Sequence, residues 1–251
     1  MPFQAYLIVC PLIMLAGFVD ASAGGGGLIS LPAYYLAGLS PVMAAGTNKL
    51  SACLGTIAAA GRYQKSHKIN YPSALPAALT ALPGSIIGTR LLLSMNPELI
   101  RYIVVAALPV VGFVIITKKD GLTANHRISG RMMTLFCALT GFVTGFYDGL
   151  IGPGTGTFLI IILTMLLGME AVEASASAKV INLASNTASL ITFAVSGNLI
   201  LPLGLCAAAF GIAGNLLGSS VTIRKGSSFI RIMLLCVLTL LLAKMILDMI
   251  T

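Results

Sequence analysis

Apolar residues dominate the chain in long runs, broken by short polar or glycine-rich intervals. The runs fall at about 3–22, 27–39, 41–61, 72–94, 99–117, 131–151, 156–169, 171–196, 199–222 and 228–250. A helix crossing a bilayer needs about 20 apolar residues. Eight runs approach that length and two, 27–39 and 156–169, fall short. Each short run follows a glycine-rich break: AGGGG before the first, GPGTG before the second. Glycine costs about 1 kcal/mol relative to alanine in a helix interior, so both breaks predict interrupted backbone. The pattern predicts an all-α polytopic membrane protein with eight long and two short membrane helices.

Composition supports that reading. Only 9% of the 251 residues are charged and 57% are hydrophobic, against about 25% charged in soluble domains. So few charges cannot coat a globule of this size, and lipid takes the place of water as solvent. The net charge of +8 does not point to nucleic acid, because the basic residues are spread thinly along the flanks of apolar runs. The first residues, MPFQ, carry no Lys or Arg, so the first run is expected to stay in the mature protein rather than serve as a signal peptide. All five cysteines lie in apolar runs without a CxxC pair and read as inert buried thiols.

The chain also resembles itself. Gly17-Phe-Val-Asp20 matches Gly145-Phe-Tyr-Asp148, each just before a glycine-rich break. Lys49 matches Lys179 at an offset of 130, as Gly84, Gly88 and Arg101 match Gly214, Gly218 and Arg231. This predicts two homologous membrane repeats, 1–120 and 131–251, joined by a cytoplasmic linker at 121–130. Arg62, Lys65 and Lys68 have no basic counterparts in Ser196-Gly-Asn198, whereas Arg224 and Lys225 follow the ninth run. Placing 62–70, 118–131 and 222–227 in the cytoplasm satisfies the positive-inside rule and puts equivalent loops on opposite sides. That is an inverted repeat, with a parallel four-plus-four arrangement as its rival. The GxxxG patterns at Gly84/Gly88 and Gly214/Gly218 read as close helix packing.

Candidate chemistry gathers at the breaks. A short helix opening after a break has free N–H groups and a positive dipole end, which suit an anion. The candidate residues are Gly24, Gly25, Gly26 and Gly27 in the first break, and Gly152, Gly154, Thr155 and Gly156 in the second. Lys49 and Lys179 lie about eight residues inside apolar runs, where a charge is expensive and marks function by default. Asn48, Asn182 and Asn186 would add neutral donors. Asp20 and Asp148 are candidates for a coupling proton, or for structural ion pairs of Lys49 with Asp20 and of Lys179 with Asp148. His67 and His126 fall in expected loops. No HExxH, GxSxG or P-loop occurs, so neither metal nor cofactor is expected, nor enzymatic activity.

The combination of GGGGLISLP, GTNKLSA, GFYDGLIGPGTGTF and ASAKVINLASN resembles the TauE/SafE family of sulfite exporters over nearly the whole chain. The first break departs slightly from the pattern, with Ala23 where an extra glycine is common. The resemblance implies a multi-pass bacterial plasma-membrane protein that moves small sulfur-containing anions such as sulfite or organosulfonates. The expected function is a secondary transporter working by alternating access between the repeats. A passive anion channel, or a proton- or cation-coupled permease for another small solute, is the alternative. The expected partners are the lipid bilayer, a small anionic solute and a further copy of the chain in a homo-oligomer.

Overall fold

The computed structural model describes residues 2–96, 130–230 and 232–236, and among these every regular element is helical. In chain order they are α1 (Phe3–Ala23), α2 (Gly27–Leu36), α3 (Pro41–Lys65), α4 (Tyr71–Ser94), α5 (Gly130–Leu150), α6 (Thr155–Leu167), α7 (Ala171–Val195) and α8 (Leu201–Lys225). A shorter apolar helix, Ser227–Cys236, follows. The expected run at 99–117, the linker except Gly130, which opens α5, and most of the run at 228–250 lie outside the described residues.

Four helices, α1, α4, α5 and α8, are long and apolar enough to cross a membrane. Their outer faces carry exposed leucines, including Leu7 and Leu15 on α1, Leu75 and Leu79 on α4, and Leu135 and Leu139 on α5. An apolar surface of this kind suits lipid rather than water. The 25-residue helices α3 and α7 carry the two buried lysines, Lys49 and Lys179, and a large share of the buried polar groups. They sit against one another in the middle.

Packing runs mainly between the two sequence segments. α1 lies on α8 and α4 on α5; α3 also meets α8, and α4 meets α7. Glycine permits the closest approaches. A Cβ on Gly145 would stand 2.5 Å from the Ala81 carbonyl oxygen, and one on Gly17 would stand 2.7 Å from that of Gly211. Gly84 and Gly88 meet α5, and Gly214 and Gly218 meet α1, so both GxxxG patterns are packing faces.

The contacts also fix direction. Cys10 meets Cys206 and Ser22 meets Gly218, so α1 and α8 run parallel. Ala77 meets Gly141 and Ser85 meets Gly149, so α4 and α5 run parallel. Thr47 accepts from Ile200 N–H and Gly55 faces Asn215, aligning α3 with α8. Asn70 bonds Ser177 and Ser85 bonds Ser189, aligning α4 with α7. Yet Gly46 approaches Phe193, Cys53 meets Thr187 and Tyr63 meets Ser175, so α3 and α7 are antiparallel. Consequently Arg62 and Lys65 closing α3, Lys68 just after it, Arg131 opening α5, and Arg224 and Lys225 closing α8 share one end of the bundle. Arg90 near the end of α4 lies toward the other.

Candidate functional site

The site begins with the two interruptions. α1 ends at Gly24, whose φ of 75° is the left-handed conformation glycine favours. α6 starts after Gly154, which has φ 82°. Neither α2 nor α6 has a side-chain cap at its N-terminus. The breaks abut: a Cβ on Gly24 would overlap the Gly156 backbone, and one on Gly27 would stand 2.9 Å from Pro153 Cα. The Thr157 hydroxyl donates to the Ala23 carbonyl at 2.7 Å and closes the junction.

The ion pairs differ from the sequence expectation. Lys49 pairs with Asp148 at 2.6 Å, and Lys179 pairs with Asp20 at 2.7 Å. Each lysine thus takes the aspartate of the opposite segment, not of its own. The reason is the packing just described. α3 crosses α7 antiparallel, which carries Lys49 toward the second glycine break and Lys179 toward the first.

The two pairs have different surroundings. Lys49 also donates to Asn186 Oδ1 at 3.0 Å, and Asp148 accepts from the Ser185 hydroxyl at 2.7 Å. Both side chains of this pair are 7% exposed. In the other pair the Lys179 side chain is 0% exposed and the Asp20 side chain 24%. Leaving one partner of such a buried pair alone, without a replacement counter-charge, costs about 3–5 kcal/mol.

A cavity of about 80 Å³ lies beside them. One water needs roughly 10–15 Å³ on this scale, so the space suits a few waters or a small oxyanion. Of the sequence candidates, Gly24, Gly26 and Gly27 line it from the first break. Gly152, Thr155 and Gly156 line it from the second, and Asn48, Lys49, Asn182 and Asn186 from α3 and α7. Asp20 and Asp148 reach it too. Gly25, Gly154 and Lys179 do not line it, Lys179 being behind Asp20. The cavity extends past Ala45 to Pro41 at the start of α3 and to Phe193 near the end of α7, so it opens away from the basic end of the bundle.

Several contributors escape a motif search. Asn215, buried among apolar neighbours on α8, lines the cavity and donates to the Gly211 carbonyl. A lone Asn between Gly214 and Leu216 in an apolar run is the signal that could have flagged it. Tyr63 donates to the Ala21 carbonyl at 2.8 Å and secures α1 beside Asp20. Ser85, Thr89 and Ser189 form a hydroxyl cluster, at 2.6 and 2.9 Å, that ties α4 to α7. No cluster of metal-ligating side chains occurs among the described residues.

Similarity to known proteins agrees with this architecture. A "Probable membrane transporter protein" of Haemophilus influenzae is 34% identical over 236 residues, covering 93% of this chain and 91% of the relative. The "Probable membrane transporter protein YfcA" of Escherichia coli K12 is 31% identical over 256 residues, covering 98% and 94%. A Sinorhizobium "Probable membrane transporter protein ORF9" is 30% identical, covering 97% and 92%. No solved structure matches. Residues 9–245 match the family "Sulfite exporter TauE/SafE". With the apolar bundle and the matched span together, this chain is a multi-pass membrane protein and belongs to the TauE/SafE family.

Proposed function

We propose that the protein is a secondary transporter of a small anion, of the sulfite or organosulfonate class, working by alternating access between two inverted repeats. The relatives' names support a membrane transporter, and a non-enzymatic role agrees with them. The observation that carries the reading is a small cavity bounded by both glycine breaks, by the Lys49–Asp148 pair and by Asp20, which is paired to Lys179 behind it.

The arrangement of helices supports inversion. Under the 1–120 and 131–251 division, α1 to α4 correspond to α5 to α8. Equivalent helices α3 and α7 are antiparallel, as a two-fold axis in the membrane plane requires. α1 of the first half lies parallel to α8 of the second, and α5 of the second to α4 of the first. The six basic residues at one end mark it as cytoplasmic, so the cavity faces the outer side of a bacterial plasma membrane. The uncapped starts of α2 and α6 offer N–H groups to the anion. Lys49 supplies positive charge, and Asn48, Asn182 and Asn186 orient the solute. Rocking of one half against the other would close the cavity outward and open it inward.

The test is uptake in liposomes. Reconstituted wild type, Lys49→Met and Lys179→Met are assayed with sulfite and with methanesulfonate, each protein first checked as monodisperse by size exclusion. Saturable wild-type flux, abolished in both variants, is expected. Undiminished flux in the variants would make the lysines structural. Flux that never accumulates solute against its gradient would favour a channel.

A further inference from the structure

We propose that Lys179 is an exchangeable anion anchor: protonation of Asp20 from the cavity frees the ammonium for the transported anion, so one proton and one negative charge move together. This rests on the transporter reading above and adds its coupling ion and stoichiometry.

The argument starts from the unequal pairs. Lys179 is fully buried, and Asp20 is the one carboxylate among the described residues within ion-pair range of it. An ammonium at that depth cannot be left without a counter-ion. Asp20 is the member of the pair that reaches the cavity, with its side chain 24% exposed. A proton arriving through the cavity therefore meets Asp20 first. The Lys49–Asp148 pair is held differently, with Asn186 and Ser185 as additional partners and both members 7% exposed. In this conformation Asp148 is braced and Asp20 is available.

Other groups facing Asp20 do not provide a substitute counter-ion. From α7 comes Lys179; from α3 comes the Tyr63 phenol, which donates to the Ala21 carbonyl. From the first glycine break comes the Gly26 backbone, and from α8 the cavity-lining Asn215. Lys49 and Asp148 line the same cavity and neutralise each other.

The charge balance closes. Before the exchange, Lys179 is +1 and Asp20 is −1. The proton converts the Asp20 carboxylate to a neutral acid. A monovalent anion entering the cavity at the neutral Asp20 then balances the ammonium behind it, and the local sum is again zero. No bond other than the O–H of Asp20 forms, and no oxidant or reductant is involved. An anion without the proton would face the Asp20 carboxylate in a low-dielectric cavity, and that repulsion enforces coupling.

Two measurements test this with methanesulfonate, monovalent throughout the range used, and with sulfite as a second probe. In the first, thermal unfolding of purified protein is followed with and without 50 mM probe. Wild type should gain at least about 3 °C at pH 5.5 and clearly less at pH 8. Asp20→Asn should gain it at both pH values, and Lys179→Gln at neither. In the second, wild-type liposomes should alkalinise the outside during uptake, with downhill flux rising as the outside is acidified. Anion stabilisation equal at both pH values in wild type would overturn the proposal without needing any variant. Uptake with no proton movement would overturn it while leaving the transporter reading intact. Stabilisation in the expected pattern with no flux of either probe would leave the exchange site standing and count against the proposed solutes.

Discussion

Replacing Lys49 with methionine removes the cation that faces Asp148 and leaves a carboxylate that is 7% exposed, with Ser185 as its remaining side-chain donor. Two unit charges 2.6 Å apart attract by roughly 6 kcal/mol at an effective dielectric of about 20. Desolvation offsets most of that gain, and the cost of orphaning one partner settles near 3–5 kcal/mol. For a chain of this length, 1 kcal/mol corresponds to about 2–4 °C in Tm, so Lys49→Met should lower Tm by roughly 6–20 °C. The informative comparison is the double variant. Lys49→Met with Asp148→Asn removes both charges and should regain at least about 2 kcal/mol of the loss. Lys49→Met with Asp20→Asn orphans Asp148 and Lys179 together and should regain nothing. Thermal unfolding in detergent, followed by the monodisperse fraction on size exclusion, reads all of these. Equal recovery with Asp20→Asn, or better recovery than with Asp148→Asn, would refute the crossed pairing and the helix arrangement that produces it.

Gly24→Ala forces a side chain into a φ of 75° and against the Gly156 backbone. It should cost at least about 1–2 kcal/mol from conformation alone and sharply reduce the folded yield. Gly145→Val should separate α4 from α5 and depress Tm, whereas Gly61→Ala, where a Cβ meets open space, should leave it unchanged or raise it by a few tenths of a kcal/mol. Ala45→Cys, in a background with the five native cysteines changed to serine, should react with a membrane-impermeant maleimide added outside intact cells. Absence of that labelling, with labelling from the inside in inverted vesicles, would reverse the assigned orientation.

Much of the framework is legible from hydropathy and glycine placement. The short runs at 27–39 and 156–169 correspond to Gly27–Leu36 and Thr155–Leu167, because a glycine cluster defines where each can begin. Apolar periodicity underestimates α3, which continues through Arg62 to Lys65. Long basic side chains can end a helix in the aqueous boundary without breaking it. The depth of both lysines was also visible, since an ionised group inside an apolar run is conspicuous. Their partners were not. Proximity in the chain favours Asp20 for Lys49, but the antiparallel crossing of α3 and α7 decides otherwise. Asn215 was missed because its role depends on facing α1 and α3 rather than on any motif of its own.

The packing of α1 on α8 and of α4 on α5 has a consequence for biogenesis. α1 buries its inner face on α8, and α4 buries its own on α5, so neither segment can finish its packing while the other is still on the ribosome. During synthesis α1 must wait in the lipid for a partner some 200 residues behind it in the chain. Final assembly is therefore post-translational in character, a coalescence of inserted helices rather than a sequential addition of finished modules. Two polypeptides cut between residues 96 and 130 should accordingly be unstable when made singly and recover together when co-expressed.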